Sequence, residues 1–523
     1  MISNCSKFGG FFQILLVIIS VCIQLHLIIP ATKNISIAGD MIFTYTLANN
    51  TYSPLFFNKE VIDAIPNTNG WFNAEILREW YLVNDYDRFD YKGVYWHQRI
   101  DVHPPLYYML IHTVCSVFPG TYSNMYAGIV NILGILIIDL LFGLLFKTLY
   151  SNYIYAALPI LIIPIQGGMV SQIFNLRMYI LLEAMCFWYL YIHILSDING
   201  WSRKRLIQFI LCVILGCLSH NYFYVYAFCV TLVQIIRFII QKRFYALINY
   251  LFTGMIGIMS VLIIFPWMIW QVIFNQQGKH TEIYGWNKEK IRDLIGFINE
   301  YWFSGQGRLI LFIFAICAIC VLLYKKLCKE EAITNSRYAW VITACSTLIY
   351  LLIIFTLDGG RDHYNSPEYI PVLFLFSAFI IWIIKTFTND WRITFPILLL
   401  SGIALMGNRV GVLYDYFEAI HPVDVEWNEL ANEYHSCDCL CIGMQELHLM
   451  DYNFYEIAQF DEVKCIDADG YNDLNLKDIL SGRITGTDSV VMYIAEDLLI
   501  PDDAVLLMNH RGYNCVYMEN GDE

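Results

Sequence analysis

The sequence predicts a polytopic α-helical membrane protein of about eleven spans with a C-terminal extracytoplasmic α/β domain. Three observations lead there. Of 523 residues, 58% are hydrophobic and only 15% are charged, whereas a soluble domain carries about 25% charged residues. Mean hydropathy is +0.51. The formal net charge of −14 is unevenly divided: residues 409–523 hold 24 acidic and 5 basic side chains, which leaves the rest slightly basic. An acidic tail on a slightly basic membrane body argues against nucleic acid as a partner.

Most spans follow from an apolar run of roughly 17–25 residues, the length that crosses a hydrocarbon core, and 205–219, with 15, lies near the lower limit. The runs cover about 11–30, 124–148, 152–170, 176–196, 205–219, 222–240, 248–272, 307–324, 338–356, 369–386 and 392–408. Residues 11–30 follow Lys7 without a small-x-small cleavage site, so they read as a retained helix rather than a signal peptide. Segment 104–118 has only 15 residues, short for a crossing. The positive-inside rule places Arg203-Lys204-Arg205, Lys242-Arg243, Lys325-Lys326, Lys329 and Lys385 in the cytoplasm. Loop 31–103 is then external, and the count closes at eleven only if 104–118 does not cross. Loops 171–177, 219–221, 273–306 and 357–368 share that external face.

The chain therefore divides into a membrane domain, 1–408, with 31–103 as its first external loop, and an acidic extracytoplasmic domain, 409–523. In the tail, β-like runs occur at Cys439–Met444, Val463–Ile466, Ser489–Ile494 and Cys515–Met518. Helix-like stretches lie between them, at Asp424–Tyr434 and Asp502–Arg511, and alternation of this kind suggests a small α/β fold. The chain has 16 cysteines, many in apolar runs where a thiol packs as a small hydrophobe. Cys437, Cys439 and Cys441 alternate like one face of a strand rather than with the CxxC spacing common in zinc sites. No cofactor or metal is expected.

Asp101-Val102-His103-Pro104-Pro105-Leu106-Tyr107-Tyr108 joins the polar loop to an apolar segment. Consecutive prolines fix φ and aim the residues before them. An acid and an imidazole held there suggest a site, and a plain helix start is the alternative. Asp40 stands at the other end of the same loop. Two acids returning to one membrane face can serve as base and orienter, while Asp40 by itself also reads as a surface acid. Arg177, in Asn175-Leu176-Arg177-Met178-Tyr179, offers a rigid fork for phosphate oxygens, or else snorkels to the interface. Lys279 and Arg361 are further phosphate candidates, with solvated loop charges as the alternative. Tyr179 and His220 complete the external candidates, with a purely structural histidine as the alternative for His220. Glu183, six residues beyond Arg177 in an apolar run, marks either function or a buried pairing.

Asp40 with Ile42-Phe43-Thr44-Tyr45, the block around His103, Arg177-Met178-Tyr179 and Pro266-Trp267 resemble the GT-C glycosyltransferases. The likeness is greatest to protein O-mannosyltransferases and lipid A aminoarabinose transferases, over roughly residues 10–385. The resemblance implies transfer of a sugar from a polyprenyl-phosphate donor to an acceptor outside the cytoplasm, at the cell membrane. It implies Asp40 as the catalytic base, with the bilayer, the lipid-linked sugar and an extracytoplasmic acceptor as partners. Those enzymes carry Asp-Glu where this chain has Asp40-Met41, and Asp101 is the candidate for the second acid. A transporter of lipid-linked glycans and a catalytically inactive relative are the competing readings. The transporter reading calls for paired repeats with broken helices, and no internal repeat is evident.

Overall fold

Among the described residues, seven helices are long and apolar enough to cross a bilayer: Gly9–Thr32, Asn124–Tyr150, Tyr179–Asn199, Tyr222–Ile240, Phe244–Ile264, Arg337–Thr356 and Ser366–Phe387. They belong to a computed structural model that describes residues 2–33, 40–49, 70–273, 288–297, 337–358, 366–407, 422–442, 454–466, 480, 489–510 and 512–519. The chain is a multi-pass membrane protein. Each of the seven falls on a predicted run. The run 152–170 forms a bent pair, Tyr153–Ile165 and Gly167–Phe174, at 68°. Pro164 lacks the N–H that a continuous helix needs, and the Gln166 side chain accepts from the Met169 N–H to cap the second piece. The run 205–219 is a 17-residue helix, Arg203–Ser219, and 392–408 contains the short apolar helix Trp391–Ile403. Run 307–324 lies outside the described residues.

Two compact units organise the chain. The first comprises Met1–Lys33, Val102–Tyr107 and Ala127–Asp415; the second comprises Asn34–Asp101, Tyr108–Tyr126 and Tyr416–Glu523. In the first, the helix Tyr179–Asn199 is almost wholly buried and packs against Arg203–Ser219, Ser366–Phe387, Tyr222–Ile240 and Arg337–Asp358. Close approach depends on small residues, as in membrane helix pairs generally. A Cβ on Gly216 would lie 2.4 Å from the ring of Phe223, which is fully buried. Gly216→Ala is therefore expected to cost on the order of 1–3 kcal/mol, read as a lower thermal midpoint in detergent. An unchanged midpoint would show that Phe223 can move aside.

The second unit is built on a six-stranded sheet in the order β1-β3-β2-β4-β6-β5. The strands are β1 (Phe72–Asn73), β2 (Asp438–Ile442), β3 (Glu462–Ile466), β4 (Ser489–Ala495), β5 (Val505–His510) and β6 (Tyr513–Glu519). β2 pairs in parallel with β3 and β4, and the other pairings are antiparallel. β2 is buried along its whole length, as befits an inner strand covered on both faces. Its Cys439 and Cys441 share one face, with sulphurs 3.9 Å apart. Burial pushes both thiols up, so they pack as protonated hydrophobes.

Three predicted strand runs map onto β3, β4 and β6, and the fourth begins within β2. The helix Pro422–Glu433 covers most of the predicted helical stretch 424–434. The predicted helix 502–511 is corrected: it holds β5, paired to β6. Val505-Leu506-Leu507-Met508 offers no polar face to a helix. Gly512 at φ +84° turns the chain just before β6, a conformation that glycine adopts without steric cost.

β1 comes from the first loop, and Trp71 beside it enters the sheet's core with Leu440, Ile442, Met492 and Val516. Arg78 donates to the carbonyls of Ala458 (2.9 Å) and Phe460 (3.3 Å). Loop and tail therefore stand on the same side of the membrane, and the chain crosses an even number of times between them. The helix Leu106–Val117 is about 18 Å long, against a core of about 30 Å. Its far end is bonded back to the same loop, by Gly120 N–H to Val83 O (2.8 Å) and Arg88 Nε to Ser116 O (2.8 Å). It does not cross.

His97 and His112 are buried in this second unit, and burial holds both imidazoles below their ordinary value. The unfolded chain takes up protons near pH 6.5 while the folded one stays neutral, so stability falls as pH drops below about 6.5 and levels off below the depressed folded values. Asp87, whose carboxyl burial pushes up, acts in the opposite direction. A His97→Gln/His112→Gln variant should therefore lose less stability than the native chain between pH 7.5 and 5.5. Equal losses would count against buried neutral imidazoles.

Candidate functional site

The residues around His103 are held from two sides. Asn221 Nδ2 donates to Val102 O (2.8 Å), and Gln271 Nε2 donates to His103 O (3.2 Å). Asn221 belongs to the turn joining Arg203–Ser219 to Tyr222–Ile240. Gln271 is on the short helix Met268–Ile273, which Pro266-Trp267 sets off from Phe244–Ile264. Pro104 and Pro105 follow, both buried. The His103 ring lies 5.8 Å from that of His220, and His220 lies 5.6 Å from Tyr179 and 5.3 Å from Tyr222. His220 Nδ1 accepts from the Tyr222 N–H (3.0 Å), so a neutral imidazole carries its proton on Nε2. The structure thus unites His103, Tyr179 and His220, three candidates that are far apart in sequence.

Arg177 sits in the link between Gly167–Phe174 and Tyr179–Asn199 and is only 5% exposed. That link is fixed from below. Asn131 Nδ2 donates to Ile173 O (3.0 Å) and Asn175 O (3.3 Å), and Tyr107 Oη donates to Asn131 Oδ1 (3.4 Å). Burial pushes the Tyr107 hydroxyl up, and the nearby Arg177 guanidinium opposes it. A guanidinium cannot shed its proton, and a cation taken out of water favours an anionic partner. Arg177 therefore brings a permanent positive charge to this link.

Asp40 is the first residue of the helix Asp40–Asn49, and Asp101 is half-buried at the C-cap of Tyr91–Ile100. Both belong to the second unit. Glu183 lies one helical turn past Tyr179, is 1% exposed, and has no hydrogen-bond partner for either oxygen among the described residues. Lys279 and Arg361 lie outside the described residues. Asn131, Asn221 and Gln271 escaped sequence reasoning. Their only signal is an amide inside or beside an apolar run, which is costly unless bonded.

No family profile matches the chain, and no curated protein matches it in sequence. Among solved structures, the chain is similar to ArnT from Cupriavidus metallidurans bound to undecaprenyl phosphate. The two are 10% identical, the match covers 97% of this chain and 98% of that one, and the TM-score is 0.51. The archaeal oligosaccharyltransferase AglB from Archaeoglobus fulgidus, in complex with an inhibitory peptide and a dolichol-phosphate, is 10% identical. That match covers 93% of this chain and 70% of the other at a TM-score of 0.42, too low to carry weight. Along nearly its whole length, then, this chain has the GT-C fold of ArnT.

Proposed function

We propose that the protein is a membrane glycosyltransferase that moves a sugar, with inversion, from a polyprenyl-phosphate donor to an extracytoplasmic acceptor. The observation that carries this reading is the full-length fold shared with a protein bound to undecaprenyl phosphate. The buried Arg177 beside Tyr107 supports it, because a lipid phosphate needs such a receptor at the end of an apolar bundle. In the proposed reaction the acceptor's O–H or N–H group attacks the anomeric carbon. Its proton passes to Asp40, and the sugar–phosphate bond breaks with its electron pair leaving on the phosphate. A phosphate leaving group needs no protonation, so one carboxylate and neutralising cations suffice. Asp101 and His103 orient the base and the acceptor. Arg177, with Lys279 and Arg361, holds the phosphate, and His220 Nε2–H and Tyr179 line the place of the sugar.

The test is transfer by the purified protein in detergent, from a panel of radiolabelled polyprenyl-phosphate sugars to a membrane and cell-wall extract. Transfer from one donor identifies the sugar. A well-folded protein that transfers none would favour a transporter of lipid-linked glycans or an inactive relative.

A further inference from the structure

A groove of about 580 Å³ runs between the helices Asn124–Tyr150, Tyr179–Asn199 and Arg203–Ser219. It occupies the end of Tyr179–Asn199 opposite Arg177, Tyr179 and His220. Its apolar walls include Ile137, Leu140, Leu144, Met185, Trp188 and Leu195. Its polar end is made by Ser202, Lys204, Arg205 and Gln208. Ten residues of helix separate Met185 from Leu195, about 15 Å. That is the depth of one leaflet of a hydrocarbon core about 30 Å thick.

We propose that this groove binds an anionic glycerophospholipid of the leaflet that faces the basic loops. An acyl chain lies along the apolar walls, and the phosphate sits at Lys204 and Arg205. Any lipid chain would fill the walls; the charge selects the headgroup. Arg205 is half-buried, and its Nη1 donates to the carbonyls of Asn199 and Gly200 and to Ser202 Oγ, which fixes the guanidinium at the mouth of the groove. Its Nε is buried without a hydrogen-bond partner among the described residues, a charged donor that a phosphate oxygen would satisfy. None of the residues lining the groove is acidic, and Asp197, two residues past Leu195, pairs with Arg237. The helix Arg203–Ser219 also begins here without a side-chain cap from Ser202, leaving its first N–H groups to add to the anion's field. Basic pockets between membrane helices on the cytoplasmic side bind anionic headgroups by these means. The inference does not depend on sugar transfer.

Native mass spectrometry of the full chain in detergent, titrated with phosphatidylglycerol or with phosphatidylcholine of the same acyl chains, tests it. Phosphatidylglycerol is expected to be retained in preference, and Lys204→Gln/Arg205→Gln to weaken its retention about tenfold. Lys242→Gln/Arg243→Gln, which changes a basic pair outside the groove lining, is expected to leave retention unchanged. Location is read separately: phosphatidylglycerol with brominated chains should quench a tryptophan signal that disappears in Trp188→Phe. Equal retention of the two lipids would overturn the proposal. So would an equal loss in the Lys242/Arg243 variant, no Trp188 component, or displacement of phosphatidylglycerol by an equimolar polyprenyl phosphate.

Discussion

Asp40→Asn should lower sugar transfer by about 10²–10⁴-fold while leaving expression and thermal stability at native levels. The amide has the shape of the carboxylate and keeps its hydrogen-bonding reach, but it cannot take the acceptor's proton. The backbone beneath it is anchored independently of that side chain. Asn49 Nδ2 at the other end of the helix donates to Tyr81 O (2.8 Å), and Tyr45 Oη donates to Ser123 O (2.9 Å). Ile42, Tyr45 and Ala48 are buried. A drop in initial rate therefore reports chemistry rather than unfolding. Initial rates with saturating labelled donor, measured beside a thermal melt, check this. Unchanged transfer would sink the base assignment and leave Met41, where resembling enzymes carry a second acid, as the residue to explain.

The second large effect is expected at Arg177. Arg177→Ala should reduce transfer about 10²–10³-fold, the range for loss of one donor that meets developing charge in a water-poor site. Arg177→Lys should recover part of that, because the charge survives while the planar two-pronged geometry does not. The deficit should fall mainly on kcat, since negative charge on the leaving phosphate grows as the sugar departs. Asn131 and Tyr107 remain to fix the Asn175–Arg177 link in both variants. Kinetics of the Ala and Lys variants against the native enzyme decide the matter. Transfer within about threefold of native in Arg177→Ala would remove this residue from the phosphate site.

Much of this architecture is legible in the sequence, for reasons that differ by element. A run such as 124–148 announces itself because a bilayer demands length and apolarity together. β4 and β6 are short β-rich runs with clear ends. The segment 502–511 misleads because a short apolar run suits helix and strand alike, and the decision falls to the turn at Gly512 and to pairing with β6. β1 is illegible: two residues in a polar loop become a strand only because β3 is present to bond them. At the site, His103, Arg177, Tyr179 and His220 stand out as polar residues at the mouths of apolar runs. The meeting of His103 with Tyr179 and His220, and the placing of Arg177 near Tyr107, rest on Asn131, Asn221 and Gln271, whose amide nitrogens donate to backbone carbonyls. Such bonds follow from tertiary placement, which no periodicity encodes.

The pairing of β1 with β3 also sets a clock on biogenesis. The Arg78 side chain that closes this joint finds its acceptor 380 residues later in the chain. At about 5–20 residues per second of synthesis, the ribosome takes roughly 20 to 80 seconds to supply it. During that interval the segment carrying Phe72, Asn73 and Arg78 waits without the sheet that will hold it, long after the first membrane helix has been made. A nascent chain released early would insert its helices and still lack a finished first loop. Proofreading for completeness is thus built into the order of assembly: the joint at Phe72–Asn73 and Arg78 closes only when the last hundred residues arrive.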